Sequence, residues 1–89
     1  MSGINLNVDK MRHFERELRE IGRECADRRK LFNNQIDEIR NFWNDDKYSI
    51  FLQKQQKFDH DLQKLEVQLE EYCHFLRRKA AAADAFLGR

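Results

Sequence analysis

The chain has 89 residues, of which 40% are apolar and 37% charged, with 17 basic and 16 acidic side chains giving a net charge of +1. That length allows one small domain near the limit of what a hydrophobic core alone stabilises. The mixed charge supplies no concentrated basic face for nucleic acid, and no stretch approaches the roughly 18 to 20 apolar residues of a membrane span. There is no proline, only three glycines (two of them, Gly3 and Gly88, at the ends), and the mean hydropathy is −0.92. Few helix breakers and much Glu, Lys, Arg, Gln and Leu favour long uninterrupted helices with one face in water.

The opening Ile4-Asn5-Leu6-Asn7-Val8 alternates in strand fashion but is too short to form more than an extended lead-in. It shows no basic region followed by an apolar one, so it does not read as a general secretory signal. The default compartment is the cytoplasm, with leaderless export left open.

Asn7 is placed to cap a first helix, with Leu6 and Met11 spaced for a hydrophobic staple across the cap. From there apolar residues recur every three or four positions: Met11, Phe14, Leu18, Ile21, Cys25, Phe32, Ile39 and Phe42. Arg28 and Gln35 fill the two remaining slots of the repeat. Leu31, Ile36 and Trp43 widen the stripe. The pattern predicts a helix over 8–42.

The polar break Asn44-Asp45-Asp46 follows, and either Asn44 or Asp45 can cap the next helix. The second pattern runs Tyr48, Phe51, Gln55, Phe58, Leu62, Leu65, Leu69, Tyr72, Leu76, Lys79, Ala83 and Phe86, predicting a helix over 46–87. With a bend of only about three residues (43–45), the helices must be antiparallel neighbours. The expected fold is all-α: a coiled-coil-like two-helix hairpin in which the stripes face each other, Ile39 near Tyr48 and Leu18 near Leu69. Leu31, Ile36, Ile50, Leu52, Val67, Cys73 and Phe75 remain outside that seam. So much uncovered apolar surface implies association, and pairing two hairpins into a four-helix bundle would bury it.

The chemistry-bearing residues do not assemble into a catalytic or metal site. Cys25 reads as a small buried apolar residue on the stripe and Cys73 as its flank. In the fold-back they stand on the order of 16 Å apart, too far for an intrachain disulfide, which leaves only a bridge between subunits. His13 and His74 take outward phases, and four convergent metal ligands are not identifiable. Asp59, His60 and Asp61 are consecutive on a helix and point in different directions. No phosphate loop or activated nucleophile is present, so we expect no enzyme and no cofactor. Arg28-Arg29-Lys30 and Arg77-Arg78-Lys79 each spread around a helix beside acids and read first as solvated faces. The alternative they raise is a cytoplasmic, dimeric, nucleic-acid-associated protein, with nucleic acid disfavoured by the net charge. Arg28, Gln35, Gln55 and Lys79, on the stripes themselves, have the positions of polar residues that set register.

A hairpin of this length with Trp43 at the bend and Phe51 soon after resembles the Trp-X-Gly (ESX, or ESAT-like) family of type VII secretion. The resemblance rests on Asn7 and Met11 at the first helix start, on Trp43-Asn44-Asp45, and on the run Leu62, Leu65, Leu69, Tyr72 and Leu76. Asp45 stands where the family has Gly, as in its divergent Trp-X-Asp branch. The family's Tyr-X-X-X-Asp/Glu export signal has no match, since Tyr72 and Tyr48 are followed at that spacing by Leu76 and Leu52. The resemblance implies a bacterial protein acting by protein–protein contact, either a secreted factor or a small partner of a larger secreted protein. It implies pairing with itself or with a paralogous hairpin, and contact with a secreted protein or the secretion ATPase. The working residues would be the seam (Phe14, Leu18, Ile21, Cys25, Phe32, Ile39, Phe51, Phe58, Leu62, Leu65, Leu69, Tyr72, Leu76) and the bend (Trp43, Asn44, Asp45). For Trp43 two readings stand open: it covers the turn, or it forms half of a recognition notch.

Overall fold

Two antiparallel helices, α1 (Val8–Ile39) and α2 (Asp46–Phe86), pack side by side along their length in the computed structural model, which describes residues 7–88. Among the described residues there is no strand. The hairpin is a rod of 66 × 17 × 16 Å. No helix among the described residues is long and apolar enough to cross a membrane. Residues 4–6 of the expected lead-in, and with them Leu6 of the expected staple, lie outside the described residues.

Each helix begins at a side-chain cap. The Asn7 side chain accepts from the Lys10 amide at 3.0 Å, satisfying one of the first-turn donors that have no intrahelical partner. Asp45 does the same for the Lys47 amide at 2.9 Å, so Asp45 rather than Asn44 is the second cap. α1 ends at Ile39, three residues short of the expected 42. The Asn41 and Phe42 amides donate to the Glu38 and Ile39 carbonyls, a tightening of the chain that closes the helix before the bend. α2 ends at Phe86, and Gly88 follows at φ 72°, a left-handed conformation that glycine adopts without a β-carbon penalty.

The pairs Asn33–Gln55, Arg29–Asp59 and Glu15–Cys73 step along the two helices in equal and opposite strides, so one register holds from the bend to the open end. Leu69 is close to Gly22, where a β-carbon would stand 3.8 Å from it, and it shares a groove with Leu18.

The expected facing of the two apolar stripes holds for Leu18 and Leu69 and is corrected for the aromatic members by the rotation of each helix about its axis. In α1 the residues turned inward are Val8, Glu15, Leu18, Gly22, Ala26, Arg29, Asn33 and Ile36. In α2 they are Tyr48, Gln55, Asp59, Leu62, Glu66, Leu69, Cys73, Leu76 and Ala80. Part of the stripe precedes these by a single residue: Phe14 before Glu15, Ile21 before Gly22, Phe32 before Asn33, Phe58 before Asp59, Leu65 before Glu66, Tyr72 before Cys73, while Leu18, Tyr48, Gln55, Leu62, Leu69 and Leu76 of the stripe do turn inward. One residue is about 100° of helix. The physical reason lies in size and partnering. Gly22, Ala26, Cys73 and Ala80 let the backbones approach where phenylalanines would hold them apart, and the polar residues between them are hydrogen-bonded across the seam.

Candidate interaction face

The one-residue offset leaves a large apolar face uncovered. Because the helices run antiparallel, the same offset turns both stripes to the same side of the hairpin. Phe32 and Phe58 meet there edge to face, ring centroids 6.3 Å apart. Phe14 is 55% exposed, Phe58 53%, Leu65 54% and Tyr72 59%. Ile21, Phe32 and Ile39 are also exposed, and so is Cys25, which was expected to be buried. Phe51, Leu18, Leu62, Leu69 and Leu76 are half-buried, forming the edge where the face meets the seam. A shallow groove of about 320 Å³ runs between the helices here, walled by Cys25, Leu62, Leu65, Leu69 and Tyr72.

The rod exposes 7394 Å², against about 5,600 Å² for a folded monomer of this mass. Elongation accounts for part of the excess.

Behind the face lies a polar cluster that sequence periodicity does not isolate. Arg29 Nε donates to Glu66 Oε2 at 2.6 Å, and its Nη1 donates to Asp59 Oδ1 at 2.9 Å. Asn33 Nδ2 donates to the same Asp59 oxygen at 2.8 Å, Gln63 donates to the other at 2.7 Å, and Gln55 donates to Asn33 Oδ1. Hydrogen bonds from Asn33 and Arg29 hold the Asp59 carboxyl below its ordinary range, while those to Glu66 and Asp59 raise the Arg29 guanidinium. Towards the open end Glu15 is buried and accepts from Arg77 at 2.9 Å, with Arg19 within 3.3 Å. The Cys73 thiol donates to the Glu15 carbonyl at 3.8 Å. Burial, then the Glu15 charge, pushes that thiol up, so Cys73 belongs to the seam and not to the flank. Arg12 pairs with Asp84 beyond it.

These pairs absorb part of each basic run. Arg29 and Arg77 are engaged with carboxylates, whereas Arg28, Lys30, Arg78 and Lys79 are exposed. His13 lies 2.9 Å from Glu17 on the outer surface, and the His74 ring lies against Arg77.

At the bend, the Trp43 indole stacks on Phe51 (5.3 Å, tilted) and meets Tyr48 edge-on (5.6 Å). Its Nε1 donates to Asp45 Oδ1 at 2.7 Å, the same oxygen that caps α2. Trp43 thus covers the turn while remaining half-exposed beside the exposed Asn44 and Phe42. The Asp45 carboxylate couples the aromatic to the helix start. No family model, curated protein or solved structure matches this chain.

Proposed function

We propose that this protein is a non-enzymatic interaction module that works through the apolar face carried by Phe14, Ile21, Phe32, Phe58, Leu65 and Tyr72. The single observation that supports this reading is that face: carried on both helices, joined where Phe32 meets Phe58, and left open by a seam that uses other residues. Soluble proteins seldom leave so large an apolar surface to water unless a partner covers it. The proposed cover is a second hairpin, a copy of this chain or a paralogue, completing a four-helix bundle. The Trp43-Asn44-Asp45 bend, by its resemblance to Trp-X-Gly proteins, suggests the biological setting: a type VII-like secreted factor or the small companion of a larger secreted protein.

The test is molar mass by light scattering across a dilution series, with far-UV circular dichroism on the same samples. The wild-type chain is expected at twice its 10.9 kDa mass, or as a one-to-one pair only with its companion. Leu65→Glu is expected to stay helical and to weaken association at least about tenfold, the equivalent of roughly 1.4 kcal/mol. A well-folded wild-type chain that remains a single chain at every concentration, alone and with its companion, would defeat the proposal.

A further inference from the structure

We propose that the polar cluster of Arg29, Asn33, Gln55, Asp59 and Glu66 sets the rotational phase of both helices, and thereby determines which face the hairpin presents. The inference rests on the reading of the apolar face as the working surface. It concerns a different group of residues and has its own readout.

Two hairpins are open to this chain, one residue apart in phase. In the first, the apolar stripes mate: Phe14, Ile21, Cys25 and Phe32 would meet Phe58, Leu65 and Tyr72 inside the seam. Arg29, Asp59 and Glu66 would then turn towards water, where charged groups are solvated without cost. That choice would bury the aromatic side chains, worth on the order of 25 cal/mol per Å², in exchange for turning out Val8, Ile36 and Cys73. The second hairpin is the observed one. It forgoes that burial and places a guanidinium, two carboxylates and two amides in the seam instead, with the Arg29 side chain only 13% exposed.

Such a cluster adds little net stability, because the attraction of partly buried charges is largely spent on removing them from water. What it does supply is selectivity. The guanidinium needs its carboxylates opposite it at hydrogen-bond distance, so a rotation of about 100°, or a slip of one turn, breaks several bonds at once. One polar residue in a coiled-coil seam is enough to choose register at some cost in stability. Here the choice extends to phase, and its consequence is that the phenylalanines point outward. The polar cluster holds the apolar face open.

The chain carries its own reporters of phase. Cys73 is buried in the seam and Cys25 lies exposed on the apolar face. Maleimide labelling of each cysteine, resolved by peptide mass spectrometry, follows the rotation. In the wild type Cys73 is expected to be protected whatever the association state, because the seam lies within one chain. Arg29→Glu places a third carboxylate between Asp59 and Glu66. It should label roughly tenfold faster at Cys73 while keeping its helical circular dichroism, and the mirrored variant R29E/D59R/E66R should restore protection. Arg29→Glu with helices intact and Cys73 as protected as in the wild type would overturn the proposal.

Should Arg29→Glu lose its helices altogether, R29L/N33L/Q55L/D59L decides. With apolar residues in both phases, that variant should melt at higher temperature and yet label at both cysteines with two rates. A single species with the wild-type pattern would instead assign the cluster no role in phase. Molar mass is read separately on every sample. A wild type that never associates while Arg29→Glu still exposes Cys73 would sink the interaction reading and leave the phase-setting role intact.

Discussion

Asp45 does two jobs with one carboxylate oxygen, capping α2 through the Lys47 amide and holding the Trp43 indole over the turn. Asp45→Ala is therefore expected to lose about 1 to 2 kcal/mol in denaturant titrations, the upper part of the range for an N-cap, and to red-shift the Trp43 fluorescence. Asp45→Asn, which keeps an acceptor at that position, should lose less. Asp59 shows the pH side of the same chemistry. Hydrogen bonds from Asn33, Arg29 and Gln63 lower its folded-state pKa, so the unfolded chain takes up the proton first. The stabilisation is full above the ordinary carboxylate range, declines as pH falls below about 4, and is lost once the folded carboxyl itself is protonated. Thermal midpoints between pH 7 and pH 3 should fall for the wild type, and less steeply for Asp59→Asn.

The helices differ in what their inner faces can tolerate. Gly22 lies in the middle of α1, where glycine costs about 1 kcal/mol relative to alanine. A β-carbon there would meet Leu69 at 3.8 Å, an ordinary contact. Gly22→Ala is expected to raise stability by about 1 kcal/mol with the hairpin unchanged, measured by the shift in denaturant midpoint. A loss of stability would mean that the helices sit closer than this geometry allows. Helix existence, the Asn7 cap and the start of α2 at Asp46 were legible in the sequence because caps and periodicity are local. The end of α1 at Ile39 was not. Phe42 and Trp43 continue the apolar spacing, and only the tight hydrogen bonds of residues 41–43 stop the helix before them.

For the whole molecule, the hairpin is rotated relative to a simple hydrophobic reading, so that most of its phenylalanines lie outside the seam. A 66 Å rod two helices wide has little interior, and Val8 and Ile36 occupy it while Phe14, Phe32 and Phe58 stay outside. This is the scale at which Leu65→Glu and Arg29→Glu should part company: the first changes molar mass and leaves Cys73 protected, whereas the second exposes Cys73.

The amino-acid sequence by itself determined two long helices, their caps and a bend too short for anything but an antiparallel return, because each depends on residues within a few positions of one another. Only the tertiary structure decided which side of each helix looks inward. Neighbouring positions such as Phe32 and Asn33, or Phe58 and Asp59, differ by about 100° on the helix, and periodicity alone cannot say which one meets the other helix of the hairpin. That choice depends on Arg29 finding Asp59 and Glu66 across the seam, and on Gly22 leaving room for Leu69. These contacts join residues far apart in the chain, and they exist only once the hairpin has closed.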